Sequence, residues 1–95
     1  MSLDTIDFNE ICNKAALLKA LSNPVRLCIV RELIVRGGCN VSSMQHCLEL
    51  AQSTVSQHLG RLRDLGIIQG ERKGTEVYYR VVSDEATKII EALFG

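Results

Sequence analysis

The chain has 95 residues, 46% of them hydrophobic, and its 11 Lys and Arg balance 11 Asp and Glu to a formal net charge of zero. That length fits one domain spanning 1–95 with a limited core, and it excludes a deep catalytic pocket; some apolar helix surface is left to need a partner. The N-terminus is acidic and polar and no apolar run approaches the roughly 20 residues that cross a bilayer, so the expectation is a cytoplasmic protein without a membrane partner, its four cysteines reduced.

The first predicted helix runs from Phe8 to Leu21 and sets Phe8, Ile11, Ala15 and Leu18 on one face. Asn23 is an N-cap with Pro24 at the first helical position, and the second helix continues to Arg36 before Gly37 and Gly38 end it. Leu27, Ile29, Val30, Leu33 and Ile34 make that helix apolar almost all round. It reads as the central buried helix. Cys39, Asn40 and Val41 read as a short extended link, and Ser42 with Gln45 has the capping-box spacing for a third helix that turns Met44 and Leu48 to the core.

From Gln52 to Gly66 the pattern changes character. Val55, Leu59 and Leu62 recur at i, i+4 and i+7, which makes one apolar stripe and leaves Ser53, Gln57 and Arg61 facing away from it. A helix with such a polar outer face reads as the second helix of a helix-turn-helix. Amides and hydroxyls on that face can meet base edges, while guanidinium and main-chain N–H groups hold phosphates.

Gly66 stops the helix, and two β-like runs follow, Ile67 to Arg72 and Glu76 to Val82, around Lys73, Gly74 and Thr75. Val77, Tyr79 and Val81 alternate at period two, so the pair is a hairpin, and a hairpin placed here is a wing whose tip can lie along a DNA backbone. The candidate DNA contacts are therefore Ser53, Thr54, Ser56, Gln57, His58 and Arg61 on the helix and Arg72 and Lys73 on the wing. Charge agrees with this placement: residues 53–80 hold five Lys and Arg against three Asp and Glu, whereas residues 81–95 hold one against three. Ser83, followed by Asp84 and Glu85, caps a last helix whose Ala86, Ile89, Ile90, Leu93 and Phe94 form a stripe too apolar for a free surface helix. The fold class is mainly α with a small β-hairpin wing.

Three segments carry a family resemblance: Ala20-Leu21-Ser22-Asn23-Pro24-Val25-Arg26-Leu27, then Gln52-Ser53-Thr54-Val55-Ser56-Gln57-His58-Leu59, then the hairpin from Arg72 to Tyr79. Together they resemble the ArsR/SmtB winged-helix repressors of bacteria, except that Ala51 stands where that family usually has a capping Ser or Thr. The resemblance implies a homodimer formed through the first and last helices, two recognition helices in successive major grooves, and an inverted-repeat operator.

The same resemblance bears on effectors. At the family's Cys-x-Cys metal positions this chain has Asn40 and Ser42, with Ser43 in place of the acid; near the start of the last helix stand Ser83, Asp84 and Glu85 with no His, and the chain stops at Gly95 before a second ligand cluster. No metal or cofactor is implied. In the redox- and persulfide-sensing branch a cysteine late in the second helix pairs with one on the last helix, and Arg31 stands at the first of those positions here. Four thiols remain, of which Cys28 reads as a small core residue, while Cys12, Cys39 and Cys47 are the thiol-sensor candidates for arsenite, a soft metal or an oxidant if the fold brings them together. His46 reads as solvated. A different class of function, a winged-helix module that binds a protein partner, stays open; a steep fall of DNA affinity with salt separates the two.

Overall fold

Short side chains at the chain's corners define the helices. In the computed structural model, which describes residues 5–95 and leaves the side chains of His46 and Cys47 outside that description, Asp7 caps α1 (Phe8–Leu21) by accepting from the Asn9 N–H at 3.1 Å. Asn23 then caps α2 (Pro24–Arg36), its Oδ1 accepting from the Val25 and Arg26 N–H groups at 2.9 and 3.1 Å. Arg26 closes the same corner by donating from Nε to the Ala20 carbonyl at 2.8 Å. The α1–α2 corner is thus fixed by polar bonds as well as by the burial of Ala20 and Leu21.

α2 ends in a paired backbone motif, with the Gly38 N–H donating to the Leu33 carbonyl at 3.0 Å and the Gly37 N–H to that of Ile34 at 3.3 Å. Gly38 itself has φ +122°, and a Cβ there would lie 3.1 Å from the Tyr79 carbonyl oxygen. Close approach to a neighbouring strand accounts for a glycine at this position.

That neighbour was not legible locally. Cys39 and Asn40, expected with Val41 to be an extended link, form a strand β1 (Cys39–Asn40) that pairs antiparallel with the wing, Cys39 opposite Tyr79 and Asn40 opposite Tyr78. The wing is therefore three-stranded rather than a lone hairpin, in the order β1-β3-β2, with β2 (Ile68–Lys73) and β3 (Glu76–Val81) in register from Ile68 opposite Val81 to Lys73 opposite Glu76. Gly74, at φ +66° in the first position of the two-residue turn, supplies the positive φ that such a tight hairpin needs.

Strand pairing also moves a helix cap. α3 (Val41–Leu48) begins at Val41, and its N-cap is Asn40, whose Oδ1 accepts from the Ser43 N–H at 2.8 Å; the expected Ser42–Gln45 capping box is not the cap. Asn40 is held extended by its pairing with β3, so it is the last non-helical residue and wins the role. α4 (Gln52–Asp64) follows, and its end repeats the α2 motif, with the Ile67 N–H donating to the Leu62 carbonyl at 3.0 Å and the Gly66 N–H to that of Arg63 at 2.9 Å. α5 (Asp84–Phe94) is capped by Ser83, whose Oγ accepts from the Ala86 N–H at 3.1 Å.

The core gathers Ile29, Val30 and Leu33 of α2, Met44 of α3, Val55, Leu59 and Leu62 of α4, Ile67 before β2, and Ala86 and Ile90 of α5. Among the described residues no polar or charged residue is buried, so the interior itself rests on apolar packing. No helix among them is long and apolar enough to cross a membrane.

Candidate nucleic-acid interface

α4 presents two unlike faces because its apolar residues keep helical period. Val55, Leu59 and Leu62 are at most 1% exposed, which pins one side of the helix into the core and turns the opposite side out. Ser53, Ser56, Gln57 and Arg61 lie exposed on that outer side, with Thr54 and His58 half-buried along its flank. The helix therefore offers two hydroxyls, a carboxamide and a guanidinium in one rigid frame. Ala51 precedes it without any side-chain cap bond, as the sequence implies, so no side chain takes the first-turn N–H groups.

The wing tip stands at the end of β2. Arg72 and Lys73 are both exposed; Arg72 folds back, its Nε donating to the Gly74 carbonyl at 3.4 Å, and the Lys73 ammonium sits 5.2 Å from the centre of the Tyr78 ring. Arg80, which contributed to the basic surplus of this half, is engaged across the sheet, donating to Gln69 Oε1 at 3.4 Å. The sequence shows Asn40 only as part of an extended link and at a metal-ligand position of the family, and it gives Glu76 and Tyr78 no role in the site. The Asn40 Nδ2 donates to Glu76 Oε2 at 3.0 Å, and the Tyr78 hydroxyl reaches the same oxygen at 3.5 Å. An Asn directly before a helix was the one available signal, and the Ser42 pattern obscured it.

A second surface lies on the terminal helices. Phe8 is 71% exposed, Ile11 50% and Leu18 57% on α1, and Leu93 60% and Phe94 52% on α5. The α5 stripe is divided: Ala86 and Ile90 are buried in the core with Ile89 packed against it, and only the C-terminal part faces outward. A Lys14–Glu85 ion pair ties α1 to the start of α5, and the Arg31 guanidinium lies 5.2 Å from the Phe94 ring centre.

The thiols do not share one environment. Cys12 is exposed on α1, Cys28 is half-buried on α2, and Cys39 is only 6% exposed within the core, while the side chains of Cys47 and His46 lie outside the described residues. Among the described residues no group of three or more His, Cys, Asp or Glu side chains is placed to hold a metal ion.

A helix-turn-helix domain family matches residues 21–71, which contain α2, α3, α4 and the start of the wing. A repressor of Mycobacterium tuberculosis named SmtB is 40% identical over 82 residues, covering 85% of this chain and 60% of its own length. The biofilm growth-associated repressor of Agrobacterium fabrum is 39% identical over 81 residues, covering 85% and 68%. The transcriptional repressor PagR of Bacillus anthracis is 38% identical over 88 residues, covering 93% and 88%. The crystal structure of PagR superposes with a TM-score of 0.84 at 37% identity, over 92% of this chain and 99% of that one.

Proposed function

Since this chain belongs to the ArsR/SmtB family of winged-helix, DNA-binding transcriptional repressors, we propose that it acts as one winged-helix unit per protomer and reads an inverted-repeat operator as a two-fold homodimer. In this reading Ser53, Ser56, Gln57 and Arg61 enter the major groove, with Thr54 and His58 at its edge, and Arg72 and Lys73 follow the adjacent backbone. The observation that carries it is the division of α4 into a fully buried apolar side and an exposed hydrogen-bonding side. An apolar outer face would have suited a protein partner instead.

The roles separate experimentally. Gln57→Ala is expected to lower operator preference more than nonspecific affinity, since a bidentate amide-to-base contact discriminates by about 1–3 kcal/mol. Lys73→Ala or Arg72→Ala is expected to weaken all sequences alike and to flatten the dependence of log K on log salt by about one unit per lost contact. Titration of operator and mixed DNA across salt concentrations measures both. Intact specificity in Gln57→Ala beside lost specificity in a wing variant would reverse the assignment.

For effectors, the residues at the family's metal-ligand positions are Asn40, Ser42 and Ser43, and α5 carries no His, so micromolar zinc is expected to leave the operator complex intact. Arsenite and diamide address thiols. Cys12 is the exposed one and Cys39 is buried, so Cys12→Ser is expected to remove whatever release these agents cause. The assay is DNA binding by the reduced protein with each agent, in the Cys12→Ser, Cys39→Ser and Cys47→Ser variants. Release by zinc that survives all three substitutions would sink this part of the reading.

A further inference from the structure

Asn40 occupies an unusual junction. It ends β1 opposite Tyr78 of β3 and at once caps α3, so it belongs both to the wing sheet and to the helix that precedes α4. Its two amide atoms are used separately. Oδ1 accepts from the Ser43 N–H at 2.8 Å, and Nδ2 donates to Glu76 Oε2 at 3.0 Å. The orientation is unambiguous chemically, because the flipped amide would set an NH2 against an N–H and an oxygen against a carboxylate.

From Glu76 the connection continues to the wing tip. Glu76 Oε2 also takes the Tyr78 hydroxyl at 3.5 Å, Glu76 lies opposite Lys73 in the β2–β3 register, and the Lys73 ammonium sits 5.2 Å from the Tyr78 ring centre. We propose that Asn40 is a positioning residue that ties the wing to the helix-turn-helix through Glu76 and so holds Lys73 at a fixed offset from the reading face of α4. Asn suits this task because one short side chain carries an acceptor for the cap and a donor for the carboxylate. Ser could serve as the cap and would be too short to reach Glu76, whereas Asp would cap equally well and repel it.

The inference rests on the reading that Lys73 meets a DNA phosphate, so Lys73→Ala is measured alongside. Asn40→Ser keeps the cap and the net charge, and it is expected to keep the melting temperature. Operator affinity should fall roughly two- to fivefold per wing, the range of an exposed charge-assisted contact. The salt slope should flatten by about one unit per wing, as in Lys73→Ala. The reversed pair, Asn40→Asp with Glu76→Gln, keeps the net charge, restores a donor facing a carboxylate with the polarity exchanged, and is expected to recover both the affinity and the slope. Wild-type binding by Asn40→Ser overturns the proposal, as does a reversed pair that fails to recover. Affinity lost only together with an early melting transition assigns Asn40 to the fold alone and overturns it too. If Lys73→Ala leaves the slope unchanged, the wing contact itself is wrong, which is a separate result from an Asn40 variant that binds normally while Lys73→Ala does not.

Discussion

Leu93→Asp is expected to leave a folded monomer that has lost nearly all operator affinity. Leu93 is 60% exposed in the protomer, so an aspartate there costs the protomer little. At a two-fold interface the same carboxylate would be buried twice without a partner. Charges left uncompensated in this way cost about 3–5 kcal/mol, which is roughly a hundredfold or more in self-association. In the proposed two-fold arrangement a lone protomer would hold one half-site and bind weakly. Sedimentation should show monomer, with a melting temperature close to that of the wild type extrapolated to low concentration. Ile89, equally attractive by helical spacing, is a poorer probe because it packs against the protomer's own core. Phe8→Asp, at 71% exposure on α1, is expected to act like Leu93→Asp. A Leu93→Asp variant that stayed dimeric would remove α5 from the interface.

The second large effect is expected at Gly38. Its φ of +122° is outside the range that other residues adopt cheaply, and an added Cβ would meet the Tyr79 carbonyl oxygen at 3.1 Å, which is backbone in the middle strand of the sheet and has little room to move. Backbone strain of this kind costs about 1–3 kcal/mol, and displacing β3 adds to it. Gly38→Ala should therefore lose about 2–4 kcal/mol. With about 4–8 °C of melting temperature per kcal/mol for a chain of this size, the shift is easily measured by calorimetry. Gly37→Ala is the control: its φ is +74° but nothing beyond its two chain neighbours stands within 4 Å of the added Cβ, so only the left-handed penalty of about 1–2 kcal/mol applies. Equal losses from the two variants would show that close approach to β3 is not what position 38 requires.

What could be read from the sequence divides along the range of the interactions involved. The bounds of α1 and α2, the buried stripe of α4 and the hairpin are local, written in capping residues, helical spacing and a glycine turn, and they agree with the structure. β1 is two residues long and exists because Cys39 and Asn40 meet Tyr79 and Tyr78, some forty positions away; no local period can announce that. The misplaced α3 cap follows from the same contact, since Ser42 and Asn40 are both good caps and only the distant strand decides between them. In the candidate interface, the faces of α4 were legible because burial of Val55, Leu59 and Leu62 dictates them. The Asn40–Glu76 bond was not, because side-chain pairing across a sheet depends on a register that the sequence does not display. The α5 stripe was legible as apolar but not as divided, since its spacing cannot say how much of a helix one protomer's core will cover.

The bare start of α4 has a consequence for how tightly the free protein holds its own reading head. With Ala51 in place of a hydroxyl or amide cap, the first turn forgoes about 1 kcal/mol, so it unwinds about five times more often than a capped helix would. A DNA phosphate placed at that terminus would supply the missing acceptor and stop the fraying. Part of the binding free energy is then the helix's own completion, and winding of the first turn and recognition become a single coupled equilibrium.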